Sequence, residues 1–259
     1  SSDKSATVIW SEDFSNGFPN GWSRQTNTGS ATCNWMWSTD GSWGYWNGNS
    51  GNSAASAINS TTASNGFLIS DPDSANHYVY GQPSGQTYQY LDSYFITSAI
   101  NTIGYPNINL EFEQNFRLNN SVDLTVSVSS DSISWINFSV QGNSINNQES
   151  ADPELVNLNI SCVAGDQATV YIKIGWNARC YYWMLDDMKI IETLDNNLDL
   201  IEANYGGWYT TPTTNGFGLE YTHTPLNQAI ANPYAFEGIV TNNGGDDQFT
   251  KLNVDVLND

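Results

Sequence analysis

Apolar and polar side chains alternate at a period of two along most of this chain, and Gly, Asn, Ser and Asp break the alternation about every eight to twelve residues. That spacing predicts short antiparallel strands, because successive side chains of a strand face opposite ways. The clearest are 109–116, where Leu110, Phe112 and Gln114 share a face, and 122–129, where Val122, Leu124, Val126 and Val128 do. Further strands are expected over 135–140, 155–160, 169–176 and 181–191. Helical periodicity is nearly absent, so the pattern predicts an all-β sandwich or barrel.

Two stretches depart from this rhythm. Between Asn27 and Asn65 the chain turns to Trp, Gly, Ser and Asn without clean periodicity, which predicts a long irregular excursion of the kind that carries binding surfaces on a rigid sandwich. Tyr78, Tyr80, Tyr88 and Tyr90 alternate on what reads as a hairpin around Gly81 to Gly85, and form either a binding ladder or the lining of a core. A boundary is expected at Asp195-Asn196-Asn197, separating a domain over 1–195 from a module over 196–259. In the latter, a strand beginning at Leu198 and a hairpin from 234–245 into 249–257 suggest an immunoglobulin-like β unit. Its length is too short for a closed sandwich, so a longer native chain, or strands supplied by a partner in self-assembly, is expected.

Charge narrows the partners. Against 27 Asp and Glu stand 7 Lys and Arg, and the net charge of −20 repels nucleic acid and anionic membrane surfaces. Calcium, neutral glycans and other proteins remain compatible. Only 13% of the 259 residues are charged, and the abundant Asn, Ser, Thr and Gly give the polar, ion-pair-poor surface of a secreted protein. No apolar run is long enough to span a bilayer, and the polar start Ser1-Ser2-Asp3-Lys4-Ser5 has the look of a mature N-terminus. Cys33, Cys162 and Cys180 lack Cys-x-x-Cys spacing; either Cys162 pairs with Cys180 across a turn at 163–166, or all three are buried thiols.

Candidate chemistry sits at strand ends. Glu12-Asp13 follows the apolar Val8, Ile9 and Trp10, and Asp186-Asp187 lies between Tyr181, Tyr182, Trp183 and Ile190, Ile191. Were these strands neighbours, four carboxylates would converge, a cost that a hard cation such as calcium removes; alternatively one acid of each pair faces solvent. Trp35, Trp37, Trp43, Tyr45 and Trp46 crowd a Gly- and Asn-rich segment and offer either stacking faces for sugar rings or packing for a sheet. Catalytic signatures are missing. His77 and His223 stand alone in loop-like surroundings, no Gly-x-Ser-x-Gly occurs, and the cysteines have no activating basic setting.

Several segments, in order, resemble the cleaved-adhesin and MAM-like jelly-roll domains. Glu12-Asp13-Phe14-Ser15-Asn16-Gly17-Phe18-Pro19-Asn20-Gly21-Trp22 is similar to their opening acidic-Phe-x-x-Gly-x-Pro-x-x-Trp. Tyr90 to Ile100 matches the strand that often ends in Ser-Pro, with Ala99 in place of the proline. Ser127 to Trp135 is similar to the Ser-x-Asp-Gly-x-x-Trp turn, with Ser132 for the glycine, and Tyr182 to Ile190 resembles the closing Trp-x-Asp-Asp-Val strand. Residues 8–192 are covered. The resemblance implies an antiparallel jelly-roll β-sandwich followed by part of an immunoglobulin-like module, in a surface protein of Bacteroidota exported by type IX secretion. It also implies structural calcium on Glu12, Asp13, Asp186 and Asp187. Asp71 and Asp73 of Ser70-Asp71-Pro72-Asp73 are further candidates, with Pro72 favouring a stiff turn over a helix start.

Taken together, the expected protein is a non-catalytic, calcium-stabilised adhesion or carbohydrate-binding module acting outside the cell on a glycan or surface protein, beside further domains of the same polypeptide. Its rivals are an accessory domain of a secreted protease or glycosidase, and a subunit of an extracellular filament.

Overall fold

The structure is a computed structural model that describes residues 7–26, 30–49, 55–85, 87–121, 123–194, 196–207, 227, 234–242, 244–245 and 247–255. The chain divides into two compact units, Ser1–Thr193 and Leu194–Asp259.

The first unit is an antiparallel β-sandwich. Its eleven strands are β1 (Val8–Glu12), β2 (Ser23–Thr26), β3 (Met36–Ser38), β4 (Phe67–Ser70), β5 (Leu91–Ile96), β6 (Ile108–Arg117), β7 (Thr125–Ser129), β8 (Ile136–Ser139), β9 (Glu154–Asn159), β10 (Tyr171–Ala178) and β11 (Tyr182–Glu192). One sheet has the order β3-β4-β11-β6-β9, with β1 also on β11, and the other has β2-β5-β10-β7-β8. From β4 to β7 and again from β8 to β11 the chain crosses between the sheets at every step, the winding of a jelly roll.

Alternation drives this arrangement. Along β10 Ile172, Ile174, Trp176 and Ala178 are buried between the sheets while Tyr171, Lys173, Gly175 and Asn177 face outward. On β6 Leu110, Phe112 and Gln114 are all fully buried, and Leu124, Val126 and Val128 of the neighbouring segment likewise; Val122 lies outside the described residues. With Phe14, Trp35, Phe95, Phe116 and Trp183 they form one core, each large apolar side chain contributing roughly 1.5–3 kcal/mol of burial.

One edge of β11 is shared. Its segment Trp183–Leu185 pairs with β4, Ser70 opposite Trp183 and Leu68 opposite Leu185, while Met188–Ile191 pairs with β1, Glu12 opposite Met188. The handover falls at Asp186-Asp187, where the ladder to β6 bulges and Asp187 takes a positive φ of 52°. The β1–β11 neighbourhood expected from the acidic pairs is therefore present.

Two sequence expectations are overturned here. Residues Pro72–Tyr80 form a helix, α1, and not a turn and strand: Asp71 accepts the N–H of Ser74 at 2.9 Å as N-cap, Pro72 occupies the first turn, and Gly81 ends the helix at φ 68° with its N–H on His77 O at 2.8 Å. Proline tolerates that position because its missing N–H has no partner there in any helix. Tyr78 and Tyr80 thus belong to a helix, while Tyr88 and Tyr90 precede β5. The cysteines are all free; Cys162 is exposed on the short helix α2 (Ser161–Ala164), whereas Cys33 and Cys180 are buried. Burial pushes the thiols up, Cys33 to about 11 and Cys180 to about 12.

In the second unit β12 (Leu198–Gly207) pairs antiparallel with β13 (Tyr234–Asn242), with a bulge between Leu200 and Glu202. The strand expected at 249–257 is absent over its described part, 249–255.

Candidate functional site

The acids proposed as one metal shell separate into two places, and the β4–β11 register is the reason. Asp71 follows Ser70, opposite Trp183, whereas Asp186 lies beyond Leu185 at the other end of the same pairing, roughly 10 Å or more away at about 3.3 Å per strand residue.

At the Asp186 end the acids meet the loop that precedes β4. Asp186, fully buried, accepts from Ser60 Oγ at 2.5 Å and from the N–H of Asp187 at 2.8 Å. Asp187 takes the N–H and hydroxyl of Thr62 at 3.0 and 2.9 Å, and Glu113 the N–H and hydroxyl of Thr61, both at 2.6 Å. Asp13 accepts from Ser15 Oγ at 2.8 Å and from Asn65 Nδ2 at 3.3 Å, and Glu12 from the N–H of Phe14 at 2.8 Å. Burial pushes Asp186 up to about 7, with Asp187 and Glu113 adding to the rise, and it also raises Glu12; hydrogen bonds from Ser15 lower the exposed Asp13. The donors are all hard oxygens, the type calcium takes, and Asp186 has neutral partners only. Among the described residues, however, no three acidic, histidine or cysteine side chains are grouped closely enough to hold one ion. Backbone carbonyls would have to complete any shell.

Asp71 and Asp73 do different work. Asp71 accepts the N–H of Trp43 at 2.9 Å besides its capping bond, and Asp73 accepts those of Tyr45 and Trp46 at 3.2 and 2.7 Å. Both are buried, and burial pushes them up to about 6 and about 7. Together they tie α1 to the five-residue π turn Tyr45–Asn49, which carries the aromatic loop. Gly44 permits the approach: a Cβ there would stand 2.3 Å from Asp73 Cγ.

This anchoring sorts the five aromatic candidates. Trp35 is fully buried, edge-on to Phe95 and Trp183 with centroids 5.1 and 5.3 Å away, so it is a core residue and not a ligand contact. Trp37 is partly exposed but sits with the acids, its Nε1 donating to Phe14 O at 2.9 Å. Trp43 is exposed and held through its backbone N–H, while Tyr45 meets Trp46 edge-on at 5.2 Å and lies 6.0 Å from the His77 ring. His77 is consequently held among Tyr45, Tyr88 and Gly81, not free in solvent as its sequence setting suggests, while His223 lies outside the described residues.

Beside Trp46 opens a cavity of about 370 Å³, whose lining includes Tyr88, Asn119, Asn147, Arg179 and Tyr181, within the range of small-ligand pockets, roughly 300–1,000 Å³. Its wall is held in costly backbone conformations: Tyr181 and Asn147 have φ of 63° and 67°. Asn147 Oδ1 accepts from Tyr181 Oη at 3.0 Å and from Asn119 Nδ2 at 2.9 Å, and the Arg117 guanidinium covers the Tyr181 ring at 4.4 Å. Stacking rings beside amides and a guanidinium suit a polyhydroxylated ligand with one apolar face. Sequence reading singles out Trp46 and Tyr88 among these and misses Asn119, Asn147, Arg179 and Tyr181, because they come from three separate segments with no common spacing. A second, more open recess lies on the outer face of the β5-β10-β7 sheet, around Tyr94, Lys173 and Asp123.

No family model matches this chain, and no curated protein is found related to it. Among solved structures it is similar to the K1 cleaved adhesin domain of Lys-gingipain from Porphyromonas gingivalis W83, at 18% identity over 70% of this chain and 96% of that one with a TM-score of 0.39. The K3 domain of the same protein gives 16%, 71%, 98% and 0.42. TmCBM61, solved with β-1,4-galactotriose, gives 9%, 70%, 94% and 0.39. Cleaved-adhesin domains and carbohydrate-binding modules are thus among the structural neighbours, and the β-sandwich itself is defined by the two sheets of this chain.

Proposed function

We propose that the first unit is a non-catalytic carbohydrate-binding or adhesion module that works outside the cell, with the cavity beside Trp46 as its glycan site. The observation that carries this reading is the joining of a partly exposed tryptophan on an acid-anchored loop to a cavity walled by Tyr, Asn and Arg. Sugar rings offer C–H faces to the indole and hydroxyls to the amides. The buried carboxylates Asp71 and Asp73 are engaged by backbone N–H groups, a structural and not a catalytic use. Among the described residues no helix is long and apolar enough to cross a membrane.

Calcium belongs to this proposal at the opposite end. At most two of Asp186, Asp187, Glu113, Glu12 and Asp13 would hold it, with backbone carbonyls completing the shell. Asp71 and Asp73 are not part of that set.

A glycan array probed with the wild-type chain and with Trp46→Ala tests the function. Binding to a restricted group of glycans, lost in the variant while its Tm stays that of the wild type, is the expected result. Wild-type binding that survives the substitution would place the ligand elsewhere and overturn the proposal.

A further inference from the structure

We propose that the cavity beside Trp46 selects a carboxylate-bearing sugar, a uronic acid unit of a glycan, through the guanidinium of Arg179. This inference rests on the glycan-binding reading above and goes beyond it in naming the ligand chemistry.

Arg179 is placed with care. Its carbonyl accepts from Asn76 Nδ2 at 3.0 Å, and the fully buried Asn76 also reaches Pro72 O at 3.0 Å and Gln89 O at 2.9 Å, so the residue is fixed to α1 and to the approach of β5. Its guanidinium lies 5.2 Å over the Tyr90 ring. Its Nε is buried yet has no hydrogen-bond partner, and no described carboxylate forms an ion pair with it. Arg179 lines the cavity, and a carboxylate entering it meets a guanidinium with charge-assisted hydrogen bonds that can pair in parallel, which a hydroxyl cannot do.

The surroundings favour the same ligand. The cavity lining contains no acidic side chain in a protein where acids outnumber cations 27 to 7. Asp73 lies behind the wall, fully buried, with both oxygens occupied by the N–H groups of Tyr45 and Trp46. The overall negative charge opposes an anion at long range, but that field is screened beyond about 8 Å at physiological ionic strength. Contacts inside the cavity therefore decide. Asn119 and Asn147 remain for hydroxyls and Trp46 for the ring face, so the site reads one carboxylate on an otherwise neutral sugar.

The test is calorimetric titration of the full chain, at fixed ionic strength, with trimers of galacturonate, glucuronate and mannuronate, each beside the same trimer reduced at C6. The expected result is at least one uronate bound tenfold or more tightly than its neutral counterpart. Arg179→Gln, with an unchanged Tm, abolishes that preference, and Arg179→Lys, which keeps the charge without the planar edge, retains only part of it. If no uronate is favoured, or if the preference survives Arg179→Gln, the inference is overturned. Neutral trimers that still bind, and lose binding on Trp46→Ala, would leave the glycan site standing; absence of any glycan binding would remove both.

Discussion

Trp35 and Trp46 lie in one aromatic segment and are put to opposite uses, one sealed between Phe95 and Trp183, the other with 44% of its surface open. Trp35→Ala should cost about 3–5 kcal/mol and be seen as a large fall in Tm, whereas Trp46→Ala should leave Tm nearly unchanged. Packing was legible for Trp35, whose alternation with Trp37 points to one sheet face, whereas the fate of Trp46 was not, because it sits beside Gly and Asn with no periodic neighbour to fix a face. Asp71 and Asp73 make a second contrast. Burial raises them to about 6 and about 7 from the ordinary 3.8. Between those limits the folded state holds protons that the unfolded chain has released, so their contribution is complete below pH 3.8 and is lost as pH climbs through 6 and 7. In buffer containing a chelator, Tm should be lower at pH 8 than at pH 5, and Asp73→Asn should reduce the difference, the rest being carried by Asp71 and by Asp186, which burial also raises to about 7. A Tm that climbs from pH 5 to pH 8 would contradict the assignment. The exposed Asp131, which the N–H groups of Ser134 and Ile133 lower to about 2, acts with the opposite sign but outside this window.

At the scale of the element, strands were legible where two faces differ. β6, β9, β10 and β11 fall within about two residues of the runs expected from alternation, since a one-residue slip would turn an entire apolar face to water. Helix α1 was not legible: its nine residues carry no clear apolar stripe, and its start signal, Asp71 before Pro72, is shared with turns. Asp71→Ala should therefore cost about 0.5–2 kcal/mol for the lost cap, and should also release Trp43 from its anchor. Gly44→Ala tests the contact between loop and helix. The added methyl forces Asp73 away from the π turn, and overpacking of this kind costs about 1–3 kcal/mol; glycan affinity should fall with stability. A variant as stable as the wild type would show that the approach of Asp73 to Gly44 is not needed.

For the whole molecule, the sandwich and the acid-rich β1–β11 corner were readable, because strand ends and their acids are local in sequence. The division of the acids was not, since it depends on how β4 registers against β11 and on a loop at Ser60 to Asn65 that supplies hydroxyls and amides. If calcium binds at Asp186, it stabilises the folded state by mass action, and a chelator should lower Tm; identical unfolding curves would reject a stabilising ion. The central claim concerns the other end of the same strand pair, where Trp46 meets the cavity. It is tested most directly by indole N–H resonances recorded while a bound array glycan is titrated into the protein. The Trp46 signal should shift in step with saturation while those of Trp35 and Trp37, one buried and the other bonded to Phe14 O, stay in place. A ligand that saturates the protein and leaves the Trp46 indole unmoved would contradict the account.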